Sequence, residues 1–320
     1  MWKTVLRRVL FMIPQLFILS ILIFALAKLM PGDPFTGLIT PDTDPKTIEA
    51  LREAAGLNDS ILVQYGRWIT NAFKGDFGVS YTHKIAVSSI IGQRAGNTVF
   101  LSLFTIIMTY VIALPVGLLA GRYQNSIFDK IVVIYNYISY AVPTFVLGLV
   151  ILFLFGYQLQ WFPTSGSVDV GVTSGTFAYF MNKLYHLILP GLTGAILGTA
   201  TTIQYLRNEV IDAKQQDFVK TARSKGVPVS KVYSRHIFRN SMLPITSNIG
   251  MELVALISGS IFIETIFAYP GIGQLFIQSI GSRDYSVITA LVMLFGVITL
   301  IGTLVSDILM SVVDPRIRLD

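Results

Sequence analysis

Six stretches of mostly apolar residues, near residues 9–29, 99–121, 131–156, 184–206, 246–268 and 286–309, constrain this 320-residue chain more than any other feature. A bilayer core about 30 Å thick is crossed by roughly 20 apolar residues in a helix, and each stretch is that long. Hydrocarbon offers no water to backbone N–H and C=O groups, so each span must be helical. The expected fold is an all-α integral membrane protein with six transmembrane helices. Composition agrees: 53% of residues are hydrophobic and 13% charged, against roughly 25% charged in an ordinary soluble domain. A signal peptide competes for the first stretch, because Arg7 and Arg8 precede an apolar run containing Ala25-Leu26-Ala27, a small-x-small site. The run is longer than a usual signal core and its removal would leave five spans, so a retained first helix is expected.

The basic residues sort by side. The amino end (Lys3, Arg7, Arg8), the loop after the second span (Arg122, Lys130), the loop after the fourth (Arg207, Lys214, Lys220, Arg223, Lys225, Lys231, Arg235, Arg239) and the tail (Arg316, Arg318) hold fifteen of the 24 Lys and Arg residues. The positive-inside rule then puts both termini in the cytoplasm. Six acidic residues share that face, which leaves about nine positive charges there. The net charge of +6 therefore reflects orientation in a membrane, and nucleic acid is not needed to explain it. The chain has no cysteine, which excludes disulfides, thiolate metal sites and a cysteine nucleophile.

Two loops carry most of the remaining sequence. The outer one, residues 30–98, opens with Pro31-Gly32-Asp33-Pro34, which cannot continue a helix. It then offers Asp44 as N-cap, Pro45 at the first helical position and Gly56 as stop. A second helix is predicted with Ile61, Tyr65, Trp68 and Ala72 on one face and Leu62, Ile69 and Phe73 beside it, lying on the bundle or at the membrane interface. This loop is a scaffold for the outer end of the bundle or a contact for an external partner. The cytoplasmic loop 207–245 reads as helix, break, helix: residues 209–225 are helix-compatible, Gly226 supplies a left-handed stop, and Pro228 opens a second helix that runs toward Pro244. So basic a hairpin is either a solvated positive-inside loop near lipid headgroups or a docking surface.

No G-x-x-x-x-G-K-[ST] phosphate cradle, H-E-x-x-H zinc motif or G-x-S-x-G elbow is present. The chain is expected to be no enzyme and to bind no metal or cofactor. His83, His186 and His236 fall in separate segments and read as surface or interface residues. Ionisable residues within the spans are Lys28, Glu252, Glu264 and Asp307. Lys28 and Glu264 have similar depth and opposite sign, which predicts an ion pair; Asp307 lies near an inner end, and Glu252 alone is distinctly interior. The fourth span carries two small-xxx-small rows, Gly191/Ala195/Thr199 and Gly194/Gly198/Thr202. Such rows either pack helices closely or line a solvated path, so Gly191, Gly194, Gly198, Thr199, Thr202 and Glu252 are candidates for a pathway or a helix interface.

The run Asp217-Phe218-Val219-Lys220-Thr221-Ala222-Arg223-Ser224-Lys225-Gly226, followed by Arg235-His236-Ile237-Phe238-Arg239-Asn240 and Leu243-Pro244, resembles the cytoplasmic EAA loop of membrane subunits from ATP-binding-cassette importers. The form T-A-R-x-K-G is similar to the B-type subunit of oligopeptide and dipeptide permeases, with Thr221, Ala222 and Arg223 at the E-A-A positions and no glutamate. Gly75-Asp76-Phe77-Gly78-Val79-Ser80, Pro143-Thr144-Phe145, Trp161-Phe162-Pro163, Glu264-Thr265-Ile266-Phe267, Pro270-Gly271-Ile272-Gly273 and Arg283-Asp284-Tyr285 fit the same family in order and position. The resemblance implies a type I importer permease fold in the plasma membrane, divided into residues 1–97 (first helix and outer loop) and 98–320 (a five-helix core). It also implies a second homologous permease subunit, two cytoplasmic ATPase subunits that hydrolyse ATP with Mg, and an extracytoplasmic peptide-binding protein. Asp217, Thr221, Ala222, Arg223, Lys225, Gly226, Arg235, His236 and Arg239 would form the ATPase-docking loop. The rival reading from another class is a secondary transporter driven by an ion gradient through Glu252.

Overall fold

The computed structural model describes residues 2–29, 44–54, 56–242, 245–246, 252 and 261–313. The described elements are helical: α1 (Trp2–Leu29), α2 (Pro45–Ala54), α3 (Ile61–Phe73), α4 (Val87–Arg122), α5 (Ile127–Ala141), α6 (Thr144–Ile151), α7 (Phe177–Ala213), α8 (Asp217–Ser224), α9 (Val229–Lys231), α10 (Phe238–Ser241), α11 (Ile261–Ile266), α12 (Ile272–Ser282) and α13 (Tyr285–Val313). Pi-helical turns extend α6 through Leu152–Gln158 and join α9 to α10 through Val232–Ile237. Most of the expected fifth span, with Pro31-Gly32-Asp33-Pro34, Leu243-Pro244 and the basic tail, lies outside the described residues.

Among the described residues four helices are long and apolar enough to cross a membrane, within α1, α4, α7 and α13, or five if the bent pair α5 and α6 is one span. The expectation of six spans is therefore supported only as four to five. The third predicted span, 131–156, is not one straight helix: α5 and its continuation after Thr144 meet at 106°. Pro143 has no N–H to give a helix and forces Val142 out of the helical region, to φ −86° and ψ 124°.

The core of the bundle is the parallel pair α4 and α7. At its outer half α7 supplies the small residues: a Cβ at Gly191 would lie 2.3 Å from Phe104, and Cβ atoms at Gly194 and Gly198 would meet Thr105 and Thr109 at 3.0 and 3.2 Å. At its inner half α4 supplies them, Gly117 facing Leu206 and Gly121 facing Val210, with Cβ distances of 3.0 and 2.7 Å. The sequence offset stays within two residues of 89 along the whole pair, as two parallel helices in constant register require. α1 lies against α13, where Leu19 occupies the space a side chain at Gly296 would need, and Arg8 forms an ion pair with Asp307 at 3.1 Å between the two helices.

The outer loop folds as its punctuation predicts. Asp44 accepts from the Lys46 N–H at 3.0 Å. Gly56, at φ +67°, ends α2 with the Leu57 N–H bonded to Arg52 O and its own to Glu53 O, a Schellman stop. α3 lays Tyr65 and Trp68 on Phe24 of α1, and the Tyr65 hydroxyl meets Ser20 Oγ at 2.7 Å. The predicted ion pair between Lys28 and Glu264 does not form. Lys28 Nζ donates to Gln64 Oε1 on α3, whereas Glu264 is fully buried elsewhere. α3 reaches the outer end of α1 and satisfies the amine before any carboxylate can.

Candidate functional site

The cytoplasmic loop is built from α8 upward. The sequence is helix-compatible across 209–225, but α7 stops at Ala213 and a turn over Lys214–Gln216 redirects the chain into α8. Val219 and Ala222 face inward, into a cluster with Leu206, Val210, Val232, Tyr233 and Ile237. Three and four residues along the helix, the remaining side chains of α8 necessarily point out. Asp217, Thr221, Arg223 and Lys225 are exposed, and Lys220 and Asp217 pair at the surface at 2.9 Å.

Gly226 takes φ +72°, as predicted. Its N–H bonds Arg223 O at 2.9 Å and the Val227 N–H bonds Ala222 O at 3.2 Å, a second Schellman stop with Val227 packed on the same cluster. No atom lies within 4 Å of a Cβ built at Gly226, so glycine is required there by backbone conformation and not by space. Beyond the stop, Arg235 and Arg239 are exposed and His236 half-buried. Of the nine loop residues singled out by sequence, Ala222 therefore belongs to the core beneath the surface, and the outward set is Asp217, Thr221, Arg223, Lys225, Gly226, Arg235 and Arg239.

Two of the loop's basic residues serve the bundle. Arg207 makes a two-pronged ion pair with buried Asp129 of α5, at 2.5 and 2.8 Å, and Lys214 Nζ donates to Gly121 O at the end of α4 at 2.8 Å. Burial lowers the affinity of the Lys214 amine for its proton. Together these bonds tie the inner ends of α4, α5 and α7 to the root of α8. The sequence carried a sign of this clamp in Ser126-Ile127-Phe128-Asp129, where the Ser126 hydroxyl caps α5 by accepting from the Asp129 N–H at 3.2 Å.

Of the candidates in the fourth span, Gly191 and Gly194 pack on α4, Thr199 Oγ1 meets the Tyr135 hydroxyl at 2.6 Å, and Thr202 is buried. They form helix interfaces; only Gly198 is exposed. Glu252 accepts a hydrogen bond from the Tyr110 hydroxyl of α4.

At the outer end, motifs far apart in sequence meet. Glu264 accepts from Thr98 Oγ1 at 2.7 Å and from the Gln274 N–H at 3.0 Å, and so caps the start of α12. A Cβ at Gly271 would stand 2.3 Å from its carboxyl carbon, which explains a glycine there. Asp284 begins α13 and binds the Ser80 hydroxyl and the Thr82 N–H, joining Gly75–Ser80 to Arg283–Tyr285. His186 is buried; its ring nitrogens lie 3.1 Å from Ser165 O and from Asp169 Oδ1. Asn182 first, then His186, hold the Asp169 carboxyl below its ordinary pKa. The contacts of Asp284 and the Glu264–Thr98 bond were not legible in the sequence, because their partners lie 166 or more positions away and no local pattern links them.

Residues 113–319 match the family model described as binding-protein-dependent transport system inner membrane component, and residues 1–103 match the N-terminal model of the same systems. The chain is 36% identical over 315 residues to the oligopeptide transport system permease protein AppB of Bacillus subtilis, covering 98% of each chain. It is 31% identical over 318 residues to the glutathione transport system permease protein GsiC of Escherichia coli K12, covering 99% of each. Among solved structures, the inward-facing MetNI methionine ABC transporter superposes with a TM-score of 0.54 at 14% identity, over 70% of this chain and 96% of that one. At that identity the likeness concerns the fold.

Proposed function

The chain belongs to the family of binding-protein-dependent transport system inner membrane components, and from that premise we propose that it forms half of the translocation path of an ATP-driven peptide importer. It is a multi-pass protein of the inner membrane and the permease of its system, not the ATPase. A second, homologous permease subunit supplies the other half, two cytoplasmic ATPase subunits hydrolyse ATP with Mg, and an extracytoplasmic binding protein delivers the cargo. Peptide is the cargo class because the relatives named above carry oligopeptides and glutathione, and because the spans hold few charges that would select one side chain.

The observation that carries the coupling role is the two-sidedness of α8. Val219 and Ala222 fix it to the end of α7, while Arg223, Lys225 and Gly226 are exposed on its other side. A force applied to that outer face passes through the Schellman stop and the Asp129–Arg207 clamp into α4, α5 and α7 together. Rigid-body rocking of packed helices then suffices for alternating access. Arg223→Glu reverses the charge of this face without touching the core. Co-purification of the ATPase subunits should drop while membrane insertion persists; undiminished co-purification would remove Arg223 from the contact.

A further inference from the structure

The exposed faces of the two central helices differ in kind. α4 shows Val99, Leu103, Ile107 and Val111 to its surroundings, as a helix against lipid tails should. Along the inner half of α7 the exposed positions are Gly198, Thr201, Tyr205, Asn208 and Asp212. Their spacing of three, four, three and four residues makes one continuous stripe on one helix face. None is aliphatic, although Gly198, Thr201 and Tyr205 lie in the hydrophobic span. The Tyr140 hydroxyl of α5 donates to Thr201 Oγ1 at 3.4 Å, and beside it Asn136 Nδ2 donates to Gln204 Oε1 at 2.9 Å, so the polar surface continues onto a second helix. Hydroxyl and amide groups facing hydrocarbon lose their water hydrogen bonds, whereas facing an aqueous passage they keep them.

We propose that the Gly198–Asp212 stripe of α7, with Tyr140, lines the inner half of the translocation path and offers hydrogen bonds to the main chain of a passing peptide. This rests on the peptide-importer reading and adds the wall residues to it. The chemistry fits a backbone: Thr201, Tyr205 and Tyr140 carry hydroxyls within the hydrophobic spans and Asn208 adds an amide just beyond, all of which donate and accept, and none of the four is charged. Gly198, whose missing side chain lets Thr109 of α4 approach, ends the stripe on its outer side, and the one carboxylate, Asp212, stands at the cytoplasmic mouth. The stripe is not the one read from the small-residue rows, whose Gly191, Gly194, Thr199 and Thr202 are taken up by helix packing.

A chain without native cysteine allows a direct test. Thr201→Cys, Tyr205→Cys and Asn208→Cys, with Ile107→Cys and Val111→Cys as controls, are placed singly in the assembled complex in membranes and exposed to a charged methanethiosulfonate reagent. Because the thiolate is the reactive form and needs water, the stripe positions should label about tenfold faster than the α4 controls, and a transported peptide should slow that labelling. Labelling no faster than the controls, or cross-linking of Thr201→Cys to the second permease subunit, would overturn the proposal. So would labelling that peptide leaves unchanged in a complex whose ATP-driven peptide uptake is intact. If the unmodified complex takes up no peptide, the cargo reading fails, and the labelling rates alone still decide whether the stripe faces water.

Discussion

Glu264 and Gly226 show how single residues set this structure, one through a side chain and one through the lack of it. Glu264 is a buried carboxylate whose two oxygens hold Thr98 of α4 and the first turn of α12. Glu264→Ala leaves the Thr98 hydroxyl and the α12 N–H groups without that acceptor and should destabilise the protein by about 1–2 kcal/mol, as lost caps do. Glu264→Gln, which keeps an acceptor oxygen, should cost less; the order is read from the thermal midpoints of the purified variants. At Gly226 space is open and only the backbone angle is demanding. A β-branched residue there pays about 1–2 kcal/mol for the left-handed conformation, which asparagine tolerates. Gly226→Val should therefore abolish coupled uptake while insertion persists, and Gly226→Asn should retain it; equal uptake by both would show that the stop does not transmit force.

Helices were legible in the sequence in proportion to how local their causes are. The caps of α2, its stop at Gly56 and the stop at Gly226 depend on a few neighbouring residues, and each stands where those residues put it. The bend of the third span was missed because hydropathy averages over Pro143, and the end of α7 at Ala213 because nothing apolar marks it. The small rows of α7 announced close packing but not the partner, since two of the five interlocking glycines, Gly117 and Gly121, sit on α4. That reciprocity gives a prediction. Gly121→Ala places a Cβ 2.7 Å from Val210 and should destabilise the pair, whereas Gly66→Ala in α3, with open space around it, should stabilise by roughly 0.5–1 kcal/mol through helix propensity. Breaking the clamp with Asp129→Ala leaves Arg207 without its carboxylate partner and should cost about 3 kcal/mol or more, seen as a lower midpoint for the assembled complex.

For the whole molecule, the count of basic residues per side predicts orientation, and the structure divides the loop's charge between two settings. Arg207 and Lys214 lock the inner ends of the bundle, and Arg223, Lys225, Arg235 and Arg239 remain on the outer surface of the loop. A docking surface of exposed cations should weaken with ionic strength, because exposed charges are screened within about 8 Å at physiological salt. ATPase association should accordingly fall between low and high salt, and fall less in Arg223→Gln. The central claim is that uptake through this chain is powered by ATP hydrolysed on partners seated on that loop. Liposomes holding the chain with its second permease and ATPase subunits, supplied with binding protein and labelled peptide, test it most directly. Uptake should require ATP inside the vesicle and should not respond to an imposed pH gradient. Uptake by the chain alone, driven by that gradient without nucleotide and lost in Glu252→Gln, would contradict the account.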